Sequence, residues 1–308
     1  MQENNQRRNP FLFAPALLLP IILFPGAASL IFSEPFAKEN SYWIAALLFL
    51  FIFGLPIALF FCLRGGKWIP FCFLPIRRRC LMLSFGVALM MIAQNALIRS
   101  LMTDGFFNHR VNTLYGFSFE IGAESTGEIL GVLFVFALLP AFLEGILFRG
   151  ILMYEYRFGG VILSVAFSSV LYAMTGVSFS GFLLCFLNGI ALSVTAFITG
   201  NVFFSVFAHF LVLAFSLLGE KYLLFLSMET ETRSVLFFVL LGIWIVSVLC
   251  VCDSAEKILR VRGESEDQRP RVLAKRTGFL VFYDMISAPM LWLDVVLFSA
   301  FAILHFFL

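Results

Sequence analysis

Charge is what this sequence has least of. Asp, Glu, Lys and Arg make up 13% of its 308 residues, about half the share of an ordinary soluble domain. Apolar residues make up 61% and the mean hydropathy is +0.98. A water-soluble fold of this length could not cover that much apolar surface. A cytosolic enzyme, a secreted disulfide scaffold and a disordered chain are therefore excluded. The formal net charge of +2 is too small to attract nucleic acid. Cysteine is scarce and unpatterned: Cys62, Cys72, Cys80, Cys185, Cys250 and Cys252 form no Cys-x-x-Cys, and most sit in or beside apolar runs, as reduced structural thiols do. Histidine is scarcer still. His109, His209 and His305 lie far apart and no His-Glu-x-x-His occurs, so neither a zinc site built from histidine nor any cofactor is expected. Phenylalanine is abundant, with 41 residues, and suits helices that face lipid.

A spanning helix needs about 20 mostly apolar residues. Such runs lie near 11–33, 41–63, 80–102, 129–148, 160–176, 180–199, 202–218, 234–252 and 287–308. The last is preceded by Asp284 and interrupted by Asp294, so part of it is expected along the interface. The first carries Pro15, Pro20 and Pro25 and lacks a small-residue cleavage site, which reads as a retained, kinked helix rather than a signal peptide. The expectation is an all-α, polytopic transmembrane helix bundle of eight or nine spans, with residues 1–308 forming a single integral membrane domain in the cell membrane. Membrane lipids are its expected partners.

Lys and Arg set the orientation. With the N-terminus inside, the inner side holds Arg7, Arg8, Arg64, Lys67, Arg77, Arg78, Arg79, Arg149, Arg157, Lys257, Arg260, Arg262, Arg269, Arg271, Lys275 and Arg276. The outer side holds Lys38, Arg99, Arg110, Lys221 and Arg233. That is 16 against 5, and it predicts a cytoplasmic N-terminus. Residues 103–128 read as a solvated outer loop and 253–278 as a polar cytoplasmic loop.

Ionisable groups at membrane depth are costly and mark candidate sites. Asp294 with His305 is the weakest, because it sits at the chain end. Glu144 follows Pro140 in ALLPAFLEGILFRG, where a kink and a bundle interior would suit a general base; the alternative is a carboxylate that reaches interfacial water. Arg149 reads as an interfacial anchor. Five residues after Glu144 on an α-helix, it stands about 140° round the axis and off that face. His209, mid-span in NVFFSVFAHFLVLAF, reads either as a titrating group or as a histidine bonded to a backbone carbonyl. Ser168, Ser169, Thr175 and Asn188 read as polar glue between helices.

These residues resemble a known family. FLEGILFRG is similar to the first signature of the CAAX-protease and bacteriocin-processing membrane family, two adjacent Glu followed after a short gap by Phe-Arg-Gly. FLNGIALSVTAFITGN (186–201) resembles that family's Gly-containing helix and Thr-Gly-Asn turn, with His209 at the matching distance beyond. The resemblance covers 129–215 and implies an α-helical intramembrane endopeptidase of about eight spans, whose best-known members remove the C-terminal tripeptide of prenylated proteins. By resemblance Glu144 is the water-activating carboxylate, His209 the later histidine and Arg149 the arginine of the signature. Three other positions depart from the pattern: the second Glu is Gly145, the Phe-x-x-x-His motif falls on Tyr172 and Gly176, and the Asn of His-x-x-x-Asn is Leu213. A positioned acid or base contributes about 10²–10⁴-fold and one oxyanion donor about 10²–10³-fold. The resemblance so implies a divergent endopeptidase of weak or absent activity, with a hydrophobic or lipidated peptide as its possible substrate. A catalytically silent protein that binds a peptide, lipid or partner in the same cavity is the alternative, and a small transporter a third, although no internal repeat is visible.

Overall fold

The computed structural model describes residues 14–23, 41–63, 77–101, 113–114, 117–118, 126–176, 179–219, 230–265 and 282–307. These form an all-α bundle of apolar helices, apart from one antiparallel hairpin of two residues per strand, β1 (Thr113–Leu114) and β2 (Phe117–Ser118). The helices in chain order are α1 (Ala14–Leu23), α2 (Tyr42–Cys62), α3 (Arg78–Leu101), α4 (Thr126–Glu155), α5 (Val161–Gly176), α6 (Phe179–Thr199), α7 (Val202–Leu218), α8 (Thr230–Ser265) and α9 (Pro289–Phe307). Five of them (α2, α3, α4, α6 and α8) contain stretches long and apolar enough to cross a membrane, and α1, α5, α7 and α9 contain shorter apolar stretches. Every apolar run in the sequence thus has a helix in the structure. Pro15 and Pro20 fall within the described part of the first run; Pro25 lies outside the described residues.

Two proline positions explain the irregular winding of α2 and α4. Proline has no N–H to return to the carbonyl four residues earlier. Pro56 follows a π-helical segment at Leu50–Gly54, and Pro140 follows one at Phe134–Leu138. A third π segment, Gly145–Leu152, directly follows Glu144. Such bulges widen the helix locally and shift which residues share a face.

The largest core cluster joins α1, α2, α4, α5 and α9 through residues such as Leu18, Phe53, Phe148, Leu171 and Phe298. A second joins α3, α6 and α7 through Leu83, Met91, Leu192 and Ala208, with α8 packed against its edge at Val251. Helix α8 departs from the expected pattern at its C-terminal end. Its winding continues to Ser265, so the first half of the 253–278 loop is helical, braced by an exposed Lys257–Asp253 ion pair at i,i+4; residues 266–278 lie outside the described residues. Within residues 103–128, expected as loop, the structure shows the β1–β2 hairpin and the start of α4 at Thr126.

In helix α9, Asp294 is fully buried within the protein, and neither carboxylate oxygen has a hydrogen-bond partner. It interacts with Tyr156 at the end of α4. The side chain of His305 lies outside the described residues.

Candidate functional site

The turn between α6 and α7 places His209. Gly200 has φ 65°, a left-handed conformation that closes a helix without the steric cost of a Cβ. Asn201 then caps α7, its side-chain oxygen accepting from the Phe203 N–H at 2.8 Å. Thr199 donates to the Thr195 carbonyl at 2.7 Å and finishes α6. The Thr-Gly-Asn motif is therefore a C-cap and an N-cap in succession. It reverses the chain tightly, so that His209, two turns into α7, faces α4 and α5.

Helix α4 supplies Glu144 and Arg149. The α-helical geometry predicts that these two point apart, and the structure overturns that prediction. In the π segment Gly145–Leu152 the backbone register runs from i to i+5, which brings Glu144 and Arg149 to one side of the helix. Arg149 is not an interfacial anchor either. It is 4% exposed. Its guanidinium lies 4.2 Å from the centre of the Tyr172 ring and interacts electrostatically with Glu144. A buried cation needs a counter-charge and an aromatic face of this kind.

Glu144 and His209 converge. Glu144 Oε2 stands 3.7 Å from His209 Nδ1, with the side chains 13% and 6% exposed. Neither of these two atoms has a hydrogen-bond partner. On the other side of the imidazole, the Tyr172 hydroxyl lies 3.3 Å from Nε2, and the same hydroxyl interacts with Glu144. His209 is therefore not the histidine bonded to a backbone carbonyl. The site is a four-membered cluster of Glu144, Arg149, Tyr172 and His209, walled by Phe148, whose ring packs edge-on against Tyr172 at 5.1 Å.

Tyr172 is the member that the sequence pattern did not single out. At the position where the family carries Phe, its one extra atom is the hydroxyl, and that atom was the available signal. Gly189 of the FLNGIA motif lets α6 cross α5 at this place: a Cβ there would meet Tyr172 Cδ1 at 3.0 Å and Ser169 Cα at 3.1 Å.

Two of the departures from the family pattern have no free space beside them. A Cβ at Gly145 would run into Val206 Cγ2 on α7, so a glutamate there requires that valine to move. One at Gly176 would stand 2.6 Å from the Gly181 backbone carbon, so no histidine fits there. Leu213 packs beside the small apolar cluster of Ala141, Val202 and Val206. Of the small polar residues, Ser168 and Asn188 bond between helices, whereas Ser169 and Thr175 bond back within α5. Ser168 donates to the Phe148 carbonyl at 2.7 Å, Ser169 to Val165 at 2.7 Å and Thr175 to Tyr172 at 2.7 Å. Asn188 accepts from Gln94 at 3.5 Å. Among the described residues no group of three His, Cys, Asp or Glu side chains is placed to hold a metal ion.

No curated protein and no solved structure matches the chain. A family model described as "Rce1-like: Type II CAAX prenyl endopeptidase Rce1-like" matches residues 126–215, from the start of α4 to within α7. All four members of the buried cluster fall inside that stretch. The chain accordingly carries a CAAX-protease-like, Rce1-like integral membrane domain, of the CAAX-protease and bacteriocin-processing family, at 126–215.

Proposed function

We propose that this protein is a slow, divergent intramembrane endopeptidase for hydrophobic or lipidated peptides. It works from Glu144 and His209, in a cell-membrane bundle of eight or nine spans with a cytoplasmic N-terminus. One observation carries the reading: Glu144 Oε2 and His209 Nδ1 face each other at 3.7 Å, buried, each without a hydrogen-bond partner. That separation is too long for a direct hydrogen bond and short enough for one water molecule to bridge both atoms. Buried polar atoms are rarely left unpaired without a role.

The chemistry follows from that water. Its oxygen attacks the scissile carbonyl carbon while Glu144 accepts its proton. The carbonyl electron pair moves to oxygen to form the tetrahedral intermediate. When the C–N bond breaks, the proton passes from Glu144 to the departing nitrogen, and a carboxylic acid and an amine leave. Arg149 offsets the charge of the buried carboxylate through space. The rate is low because the positions of the second Glu, the other His and the Asn are Gly145, Gly176 and Leu213.

The test is cleavage of hydrophobic and prenylated peptides by the purified chain in nanodiscs, beside Glu144→Ala. The wild type cleaves slowly, and the variant loses about 10²–10⁴-fold. Equal rates would remove Glu144 from the mechanism. The closed space at Gly145 and Gly176 favours a second reading, a silent member that binds a peptide, lipid or partner. It predicts ligand binding that survives both Glu144→Ala and His209→Ala, and loss of binding in both would count against it.

A further inference from the structure

We infer that Tyr172 is a positioning residue that selects the tautomer of His209: its O–H donates to Nε2, which leaves the ring proton on Nδ1, aimed at Glu144. The inference rests on the Glu144–His209 reading and adds to it the residue that decides which way the imidazole is protonated.

The geometry allows two arrangements. The phenol has one proton and two acceptors in reach, the Glu144 carboxylate and His209 Nε2 at 3.3 Å. A neutral imidazole carries one N–H and one bare nitrogen. If the phenol proton goes to Glu144, Nε2–H points at the phenol oxygen, and the bare Nδ1 faces Oε2 across 3.7 Å. Two lone pairs then oppose each other in a buried site. If the phenol proton goes to Nε2, Nδ1–H faces the carboxylate and both ends of the ring are attractive. Arg149 adds to this bias. Its guanidinium has donors and no acceptor and lies against the Tyr172 ring at 4.2 Å from the centroid, so it interacts favourably with electron density on the phenol and never with its proton.

The consequence is directional. With Nδ1–H as donor, a water between the two side chains accepts from His209 and donates to Glu144. Its remaining lone pair is free for attack, and one carboxylate receives the proton. With the other tautomer, the water would donate to both groups, and its proton could leave to either the imidazole or the carboxylate. The family pattern has Phe at this position and no hydroxyl; here the single oxygen of Tyr172 orients the imidazole.

The experiment is nitrogen-15 NMR of the full chain, histidine-labelled, in nanodiscs. The chain has 3 histidines, and His109→Gln and His305→Gln assign the His209 signals. In the wild type Nδ1 should resonate as protonated and Nε2 as unprotonated. Tyr172→Phe keeps the ring packing on Phe148 and Arg149, and should shift His209 to a mixture of tautomers. Glu144→Gln should leave the wild-type pattern, because the tyrosine still donates to Nε2 and the amide oxygen can still accept from Nδ1–H. A protonated Nε2 in the wild type would overturn the inference. So would a switch in Glu144→Gln with no change in Tyr172→Phe, which assigns tautomer selection to the carboxylate. A peptidase assay on the same samples separates the two claims. Cleavage in Tyr172→Phe should fall about tenfold with KM unchanged, and equal kcat would also count against the inference. If the wild type cleaves nothing while NMR gives the expected pattern, the peptidase reading fails and the tautomer assignment stands.

Discussion

Helices α4 and α8 are both apolar enough to cross a membrane, yet they use that property in opposite ways. The most apolar window of α8 has a mean hydropathy of 3.0 and is 11% buried within the protein, whereas that of α4 has 2.4 and is 39% buried. Helix α8 rests on α3 along one edge, where Leu240 meets Ala96 and Leu97, and turns Val235, Phe238, Val246 and Leu249 outward. For such a helix lipid is the solvent and composition suffices. Helix α4 threads the bundle, changes its winding at two π segments, and holds a carboxylate and a guanidinium away from lipid. Membrane helices that carry ionisable groups must bury them against neighbours. The comparison teaches that hydropathy places a helix in the bilayer, while function depends on which neighbours cover it.

The comparison can be broken or sharpened by substitution. The largest effect is expected in α4 at Glu144, where Glu144→Ala removes about 10²–10⁴-fold of peptide cleavage, measured in nanodiscs. Gly145→Glu comes next. It forces a side chain into Val206 and buries a second carboxylate, and should destabilise the fold by at least the about 1–3 kcal/mol of an overpacked core, read as a lower thermal midpoint. Gly145→Ala paired with Val206→Ala should recover most of the stability that Gly145→Ala loses alone, because the clash involves the Val206 methyl. Asn201→Ala removes the cap of α7 and should cost about 1 kcal/mol, together with a looser His209 in the NMR spectrum described above. Phe238→Ala on α8, 68% exposed, should change the thermal midpoint least, within about 0.5 kcal/mol. A loss there as large as that at Gly145 would show that α8 is covered by protein rather than lipid.

The parts of the molecule that were legible in the sequence are those that local chemistry dictates. Apolar runs gave the helices, because an unpaired backbone in lipid has few alternatives. Thr199, Gly200 and Asn201 are legible as a turn through the family resemblance, and the structure supplies the capping chemistry that makes the reversal. Glu144 and His209 stood out because ionisable groups at depth are rare. Arg149 was misread for one reason: the angle between residues 144 and 149 was taken from α-helical winding, and a π segment occupies that stretch. A local change of winding around Gly145 and Gly150 is decided by what packs outside the helix. Asp294 is covered by protein because α9 packs against the end of α4, a contact that no local pattern in the sequence announces.

By itself the sequence determined that this chain lives in a bilayer, where its helices run, and which few side chains are too costly to be there by chance, since each follows from transfer energies and capping that act within a few residues. The tertiary structure decided that a carboxylate, an imidazole, a guanidinium and a phenol from three helices share one buried place, and that Val206 and Gly181 crowd the space beside Gly145 and Gly176. Those are contacts between distant parts of the chain, set by how helices cross, and no local preference encodes a crossing.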